Sequence, residues 1–392
     1  MEFTLRTAGQ ILFGRGTARR AGELTAPLGR RVFLVTGGSS LERGGHLARL
    51  QAALEAQGAS WTRSVVTGEP DVACIDSAVA SCRAADCDVV LAVGGGSVLD
   101  TGKAVAALSR NPGSVLEYLE DAGRGAPRPL ALGALPVVAL PTTCGSGSET
   151  TRNSVVRIPE LGVKRSLRSD VLLPRIAIVD PELAEGAPLP VAAAAGLDAL
   201  THLLEGYVSR GAQPTTDALA LRGLGLASRA LSELAQPERP PGAAFEQMAL
   251  ASLWGGIVLA NAGLGAVHGL VAPLGGCYEV AHGDACACLL PATLLTNIEA
   301  LRRRAPGHPA LGRYSEIIAL ICPSGPQTPE RAAEQLLQLR KRLGVRSLAE
   351  RGVVPQSFSQ IVAQARGGSM RSNPIDLSDQ ELEAILISTL AA

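Results

Sequence analysis

Residues with metal-ligand chemistry lie in the second half of the chain. Three of the five histidines among its 392 residues, His202, His268 and His282, lie in apolar segments there. Asp198 precedes His202 by four residues, which places both side chains on one face of a predicted helix. Three imidazoles and a carboxylate suit a divalent first-row metal such as Fe, Zn, Co or Ni, whereas Ca²⁺ and Mg²⁺ prefer oxygen ligands. The alternative for each histidine taken singly is a core residue with satisfied hydrogen bonds.

Two cysteines follow His282 closely and bear on the same chemistry. Cys286 and Cys288 could extend a metal site with thiolates. Buried cysteines more commonly pack as small core residues, and the sequence favours that role for both. The two remaining histidines, His46 on a polar helix and His308 among prolines, are predicted to lie at the surface.

A glycine-rich segment, Gly94–Lys103, follows a predicted strand and opens a predicted helix. Its three consecutive glycines let backbone N–H groups approach a phosphate, and the helix N-terminus adds a favourable dipole. Ser97 and Asp100 have the spacing of a capping box. The segment matches neither GxGxxG nor GxxxxGK[ST], the two common nucleotide loops. An ordinary strand–helix turn remains the alternative, but the three glycines favour a nucleotide-phosphate site.

The order of the predicted elements changes near the middle of the chain. Apolar, β-branched runs at residues 31–36, 87–93 and 135–140 are typical of strands buried on both faces of a parallel sheet, and a helix is predicted from about residue 41 to 57. Beyond residue 181, Ala- and Leu-rich segments predict helices to the end of the chain. The sequence therefore predicts an α/β dinucleotide-binding domain at residues 1–184. An all-helical metal-binding and substrate domain is predicted at residues 185–392.

Composition excludes several classes of protein. Lys and Arg (36) balance Asp and Glu (36), so no net charge attracts the chain to nucleic acid or to an anionic membrane. The N-terminus lacks the pattern of a secretory signal, and eight cysteines without a CxxC pair favour reduced thiols in the cytoplasm. The uncharged stretch Met248–Tyr278 is long enough to span a bilayer, but its glycines and Pro273 favour a buried core helix. We therefore expect no membrane or nucleic-acid partner.

Taken together, the motifs resemble the iron-dependent (group III) alcohol dehydrogenases over nearly the whole chain. The motifs are Gly94–Ser97 with Asp100 and Lys103, Pro141–Thr143 with Gly145, Gly147, Ser148 and Glu149, Gly196–His202, and Gly263–His268 followed by His282–Gly283. The resemblance implies a dehydroquinate synthase-like fold, in which a nucleotide-binding α/β domain with a parallel sheet precedes an all-helical C-terminal domain. It also implies a homodimer.

The same resemblance implies the site residues and the reaction. Fe(II), with Zn as the usual competitor, would be held by Asp198, His202, His268 and His282. The cofactor pyrophosphate would be bound by Gly95, Gly96 and Ser97, helped by Thr142 and Thr143, with Lys164 also near the cofactor. Hydride would move between nicotinamide C4 and a metal-polarised carbonyl or alcohol carbon, as in an NAD(P)-linked alcohol dehydrogenase or aldehyde reductase. No catalytic residue beyond the metal ligands is assigned, and apolar pocket residues favour a small uncharged aldehyde or alcohol.

Two positions depart from the family pattern. Many members carry a second histidine, assigned to proton relay, four residues after the one matching His268, but Ala272 stands there. NAD-preferring members often have Asp where Gly37 stands, to bind the adenine ribose. A loop of Gly37, Gly38, Ser39 and Ser40, with Arg43 nearby, could instead accept a 2′-phosphate. The sequence therefore predicts that NADP(H) is preferred over NAD(H).

Three alternatives remain at this point. A maleylacetate-reductase-like enzyme is disfavoured by the retention of Asp198. A dehydroquinate-synthase-like lyase is disfavoured because its basic substrate-binding clusters are not evident. A catalytically inert cofactor-binding paralogue, with Ala272 as a sign of decay, is disfavoured by the intact set of candidate ligands.

Overall fold

The computed structural model describes residues 2–123, 125–236 and 242–390. Contacts divide the chain into one unit of Arg6–Ala187 and a second that begins at Pro188 and includes residues up to Leu5. The sequence predicts this boundary near residue 185. Residues 237–241, predicted as a loop between helices, lie outside the described residues.

The first unit combines a parallel sheet with α-helices. Six strands form the sheet in the order β1–β8–β5–β4–β2–β3, and β6 pairs antiparallel with β7. The strands are β1 (Gln10–Phe13), β2 (Arg31–Thr36), β3 (Ser60–Val65), β4 (Val89–Gly94), β5 (Val137–Pro141), β6 (Asn153–Ile158), β7 (Val163–Arg168) and β8 (Ile176–Val179). The α-helices are α1 (Ala21–Thr25), α2 (Ser40–Arg43), α3 (His46–Glu55), α4 (Val72–Ala84), α5 (Gly96–Leu108) and α6 (Glu182–Glu185).

The central strands are buried on both faces, as their continuous apolar runs predict. Alternate residues of β2 point to opposite sides of the sheet: Phe33 and Val35 join a core with α4 and α5. Val32 and Leu34 join a separate core with α1 and α3. A strand that contributes to two cores has no solvated face, which is why β2, β4 and β5 lack polar alternation.

The chain order reverses between β2 and β4. From β2 the chain runs outward to β3, then crosses back to β4 and continues to β5 on the other side. At such a switch point the loops at the carboxyl ends of the strands diverge and leave a crevice for a ligand. The loops that follow β2, β4 and β5 contain Gly37–Ser40, Gly94–Ser97 and Thr142–Thr143, so the topology places the predicted cofactor loops side by side.

Local predictions are correct in type and less accurate at their ends. The strand β2 has its predicted bounds, whereas β4 and β5 each begin two residues later than predicted. The helix predicted from residue 41 to 57 is two helices, α2 and α3. They are separated at Gly45, whose φ of 67° lies in the left-handed region and cannot continue a right-handed helix.

The second unit contains only helices among its described residues. They are α7 (Leu189–Val208), α8 (Pro214–Leu234), α9 (Ala243–Ala262), α10 (Ala266–Cys277), α11 (His282–Arg304), α12 (Ala310–Ile321), α13 (Pro329–Arg342), α14 (Phe358–Gln364) and α15 (Asp379–Leu390). The central helix is α7, which packs against α8, α9 and α11. Its residues from Gly196 to Val208 are buried on every face, so its sequence is apolar all round.

Two helices of the described part, α9 and α11, are long and apolar enough to cross a membrane by length and composition alone. Most of each is buried inside the structure, and the core helix of a soluble protein passes the same test. The uncharged stretch Met248–Tyr278 forms most of α9 and all of α10, whose apolar residues are largely buried.

Candidate metal centre and cofactor site

The four predicted metal ligands lie together in the helical unit. Asp198 and His202 are one turn apart on α7, His268 is on α10, and His282 is the first residue of α11. Asp198 Oδ1 lies 3.5 Å from His202 Nε2, 3.3 Å from His268 Nε2 and 3.6 Å from His282 Nε2. The rings of His202 and His268 stack with their centroids 4.7 Å apart. Asp198, His202 and His268 are buried, whereas the His282 side chain is 43% exposed, so the cluster opens to solvent on that side.

A second carboxylate on α7 orients His268. Glu205 Oε2 lies 2.7 Å from His268 Nδ1, and Glu205 Oε1 accepts the backbone N–H of Val267 at 2.7 Å. Because a carboxylate only accepts hydrogen bonds, His268 Nδ1 carries a proton, which leaves Nε2 as the nitrogen that can bind a metal. This carboxylate–histidine arrangement prepares His268 to bind a metal through Nε2.

The first turn of α10 is fixed by side chains from distant parts of the chain. Asn373 Oδ1 accepts the N–H of Ala266 at 3.0 Å, while Glu205 accepts that of the next residue. Asn373 also donates to Asn297 Oδ1 of α11 at 2.8 Å. A Cβ atom on Gly265 would lie 2.8 Å from Asn373 Oδ1 and 2.9 Å from Glu205 Oε1, so a glycine is needed for both side chains to reach the helix end. These caps hold the backbone that carries His268.

The donor set fits a divalent cation. Asp198 and Glu205 are both buried, and their partners are imidazoles, a thiol and backbone N–H groups. Burial opposes ionisation of Asp198, but the neighbouring imidazoles of His202, His282 and His268 outweigh it and hold its pKa well below the usual range. Without a metal, burial opposes protonation of His268, but Cys286 and the hydrogen bonds to Asp198 and Glu205 outweigh it and raise its pKa well above the usual range, so its imidazole carries a positive charge. A bound divalent cation would supply that positive charge and leave the imidazoles neutral, as ligands must be.

Glu205 was not among the predicted site residues, and for Cys286 the sequence favoured core packing over a role as a thiolate ligand. Cys286 is buried as expected, but its Sγ lies 3.4 Å from Asp198 Oδ1 and 3.7 Å from His268 Nε2. Cys288 lies outside the cluster, with its Sγ 3.1 Å from an Arg340 nitrogen. Helical spacing was the available signal: Cys286 follows His282 by four residues, and Glu205 follows Asp198 by seven, so each lies on the face of its predecessor.

The glycine-rich loop leads directly into α5. The helix begins at Gly96 with Gly95 as its N-cap, and no described side chain caps it. The N–H groups of its first turn are therefore available to an anion, which suits the predicted binding of pyrophosphate by Gly95, Gly96 and Ser97. The predicted capping box is wrong, because the helix starts one residue before Ser97. Asp100 instead accepts the Ser148 hydroxyl and the N–H of Val155, so it attaches the loop after β5 and strand β6 to α5.

The loop after β5 lies against the glycine-rich loop. The N–H of Thr142 donates to Gly94 O at 3.0 Å. A Cβ atom on Gly96 would lie 2.9 Å from Ser146 Cβ, so this close approach of the two loops requires glycine. The structure thus brings Thr142 and Thr143 beside the Gly94–Ser97 loop.

Two arginines flank the Gly37–Ser40 loop at the end of β2. Arg43 on α2 donates to the Ser39 hydroxyl, and Arg63 on β3 donates to Thr36 Oγ1 at 2.9 Å. The sequence analysis identified Arg43 but missed Arg63, which reaches the loop only because β3 pairs with β2. A Cβ atom on Gly37 would lie 3.8 Å from Val98 of α5, so this loop also adjoins the glycine-rich loop.

The last predicted cofactor residue, Lys164, lies on β7. Its Nζ is 2.6 Å from Glu69 Oε1, and its side chain is largely buried. Its role near the cofactor stays a prediction.

Two buried ionisable residues, Lys103 and Glu149, lie near the loop after β5. Lys103 Nζ donates to Ser148 O and to Thr151 Oγ1, both at 3.0 Å, and pairs with Asp100 at 3.1 Å. Nearby Glu149 is 1% exposed, and its Oε2 has no hydrogen-bond partner among the described residues. Burial raises the pKa of Glu149 to about 7, and its backbone hydrogen bond and Lys103 offset this only in part.

Glu149 therefore makes the stability of the fold depend on pH. Its pKa is higher in the folded than in the unfolded chain, so its stabilisation is complete below about pH 4.5 and is lost as the pH rises through about 7. We expect the free energy of unfolding of Glu149→Gln, relative to that of the parent protein, to increase by about 1–3 kcal/mol from pH 5 to pH 8. Urea unfolding at both pH values measures this difference. The exposed Glu160→Gln is the control, and a Glu149→Gln difference that is independent of pH would contradict the prediction.

Glu205 is expected to control metal affinity through His268. Glu205→Gln keeps the shape of the side chain but loses the charge that holds the proton on Nδ1, so we expect the affinity for Zn²⁺ to fall about 10- to 100-fold. Competition with a chromophoric chelator measures this affinity, and circular dichroism checks the fold. Glu316→Gln, which alters a carboxylate bonded to Tyr207 instead, should bind Zn²⁺ like the parent protein. An unchanged affinity in Glu205→Gln would disprove the role.

Comparison with known proteins relates the chain to a family of enzymes with known members. The sequence matches the family described as iron-containing alcohol dehydrogenase over residues 8–181. It matches the C-terminal domain of the Fe-containing alcohol dehydrogenase family over residues 192–390. The long-chain-alcohol dehydrogenase 1 of Geobacillus thermodenitrificans is 33% identical over 369 residues, which are 93% of this chain and 91% of the relative.

Solved structures agree with this match. The archaeal alcohol dehydrogenase ADH/D1 from a Red Sea brine pool superposes with a TM-score of 0.90 and 28% identity, covering 99% of this chain and 98% of that one. Sulfoacetaldehyde reductase from Bifidobacterium kashiwanohense, solved in complex with NAD⁺, superposes with a TM-score of 0.83 and 27% identity over 100% of this chain and 99% of that one. With family matches across both units of the fold, the chain belongs to the iron-containing alcohol dehydrogenase family.

Proposed function

We propose that this protein is a metal-dependent, NAD(P)-linked alcohol dehydrogenase or aldehyde reductase. The observation that carries the proposal is the cluster of Asp198, His202, His268 and His282, in which Glu205 already sets the tautomer of His268. Such a cluster would bind the cation that an oxidoreductase of this family uses, and the strand order of the α/β unit supports cofactor binding by the loops at its switch point.

The protein's own residues hold and orient the reacting groups. When bound, the metal would act as a Lewis acid on the oxygen of a carbonyl or alcohol, and the nicotinamide would carry the hydride. Asp198 and the three histidines would hold the cation, and Glu205 would keep a proton on His268 Nδ1, so that Nε2 is the nitrogen directed at the cation. The exposed side of His282 would be where the cluster meets the substrate and solvent.

No protein general base is assigned to the reaction. Ala272 lies on α10 one turn after His268 and carries no ionisable group. Protons would therefore pass through water or the cofactor ribose. We propose that this arrangement still supports turnover, because the loss of one relay residue leaves the cation-binding side chains in place.

The imidazole and carboxylate donors limit which metal ions the site would bind. Imidazole and carboxylate ligands suit Fe(II) and Zn²⁺ alike, and we propose Fe(II), with Zn²⁺ as its competitor. The pyrophosphate of the cofactor would bind at Gly95, Gly96 and Ser97, with Thr142, Thr143 and Lys164 close to it.

The loop after β2 supports a preference for NADP(H) over NAD(H). Gly37 leaves room where an aspartate would repel a 2′-phosphate, and Ser39 and Ser40 offer hydroxyl donors. The guanidinium groups of Arg43 and Arg63 lie beside these residues, and arginine is well suited to phosphate.

The remaining parts of the proposal concern substrate and context. We propose a small uncharged aldehyde or alcohol as substrate, a homodimer, and a location in the cytoplasm, with neither nucleic acid nor membrane as a partner. Residues 1–184 would bind the dinucleotide, and residues 185–392 would bind the metal and the substrate.

Metal-dependent turnover is the decisive test. Oxidation of NADPH with a panel of short and aromatic aldehydes is to be compared between chelator-treated protein and protein reloaded with Fe(II) or Zn²⁺. We expect activity only after reloading, and none in Asp198→Ala, because the carboxylate central to the cluster is gone. Activity that survives chelation would favour a maleylacetate-reductase-like enzyme. NADPH binding without turnover under any loading would favour an inert paralogue.

The cofactor preference is tested at Arg43. Arg43→Ala removes one guanidinium group from the proposed phosphate site, so we expect the KM for NADPH to rise about 10-fold or more while that for NADH is unchanged. Arg49→Ala, an exposed arginine one turn into α3, is the matched control. Equal effects on the two cofactors would contradict the assignment of the 2′-phosphate to this loop.

A further inference from the structure

The candidate metal centre contains a fifth donor atom, a thiol. Cys286 lies one turn after His282 on α11, the same spacing that joins Asp198 and His202 on α7. Ligand atoms of Asp198, His268, His282 and Cys286 all lie within 4.8 Å of one another. The site is thus built from a pair of donors on each of two helices and a single histidine between them.

The distances around Cys286 match those between ligands of one metal ion. Metal–nitrogen and metal–oxygen bonds of about 2.0–2.1 Å and a metal–sulfur bond of about 2.3 Å put neighbouring ligands of one ion roughly 2.9–3.6 Å apart, for angles between about 90° and the tetrahedral angle. Cys286 Sγ is 3.4 Å from Asp198 Oδ1 and 3.7 Å from His268 Nε2. The spacing of the sulfur from these atoms is therefore like that of the histidine nitrogens from Asp198.

Cys286 would bind a metal as a thiolate. Its sulfur is buried beside the carboxylate of Asp198, where a second negative charge needs a cation to compensate it. A thiol that coordinates a divalent cation gives up its proton. On binding, the S–H bond is replaced by a sulfur–metal bond, and the proton leaves to solvent.

We propose that Cys286 is a ligand of the metal, supplied as a thiolate, and that it shifts the selectivity of the site from Fe(II) toward Zn²⁺ or Co²⁺. The inference rests on the proposed function for the presence of a metal. Thiolate is a softer donor than imidazole or carboxylate, and soft donors favour Zn²⁺ over Fe(II) in an otherwise similar site. Cys286 thus sets how strongly Zn²⁺ competes with Fe(II) for the site.

The chain offers a matched control in Cys288. This cysteine is on the same helix and is also buried, but its sulfur contacts Arg340 and the carbonyl oxygen of Arg346. Substitution of Cys288 tests the effect of removing a buried thiol from α11 without touching the cluster.

The test uses Co²⁺ as a spectroscopic probe in the full-length, chelator-treated protein. We expect the parent protein and Cys288→Ser to develop a near-ultraviolet thiolate-to-Co²⁺ charge-transfer band together with the visible bands of bound Co²⁺. Cys286→Ser should keep visible bands and lose the charge-transfer band. X-ray absorption of the Zn²⁺-loaded parent protein should show one sulfur at about 2.3 Å, absent from Cys286→Ser.

Selectivity is measured by competition between Zn²⁺ and Fe(II) under anaerobic conditions. We expect Cys286→Ser to lower the ratio of bound Zn²⁺ to bound Fe(II) about 10-fold or more, and Cys288→Ser to leave it unchanged. Parent protein that binds Co²⁺ without a charge-transfer band, or a band that persists in Cys286→Ser, would overturn the inference. Metal-dependent turnover in those same samples would leave the proposed function standing, whereas no metal binding at all would overturn both.

Discussion

The buried pairing of Glu205 with His268 is the interaction on which the candidate metal centre depends. One carboxylate oxygen accepts a hydrogen bond from the Nδ1–H of the imidazole, and the other accepts one from a backbone N–H at the start of α10. A buried carboxylate is tolerated only where such bonds and a nearby positive charge compensate its desolvation. The same contact therefore anchors a helix, selects a tautomer and makes the centre receptive to a cation.

Other residues of the helical unit support the contact between Glu205 and His268. Gly265 has no side chain, so Asn373 and Glu205 can both reach the end of α10, and Asn373 is held in turn by Asn297 of α11. The helices that carry the predicted ligands have most of their apolar residues buried, and such packing favours a preformed arrangement of the side chains they carry. His282, at the exposed beginning of α11, is the exception, and it leaves the cluster open on one side.

The α/β unit follows a different principle. Its ligand-binding potential comes from backbone and topology, since the loops after β2, β4 and β5 meet where the strand order reverses. The uncapped start of α5 presents N–H groups, and Asp100 is used to attach the loop after β5 and strand β6. Near the loop after β5, Lys103 and Glu149 are buried at an electrostatic cost, which ties the stability of this unit to pH.

Periodicity and residue type determined much of this protein in advance. The doubly buried strands, the helical second half and the pairing of Asp198 with His202 follow from local spacing, because side-chain direction repeats every two or 3.6 residues. Contacts between distant residues have no such local signal. Helical spacing puts Glu205 and Cys286 on the faces of Asp198 and His282, but only the tertiary structure decided that Glu205 orients His268 and that Cys286 Sγ approaches Asp198. It also decided that Arg63 joins Arg43 and that Asp100 serves a loop instead of its own helix. Each of these contacts depends on which helices and strands pack side by side. The burial of whole apolar faces decides that packing, and the type of the contacting residue does not.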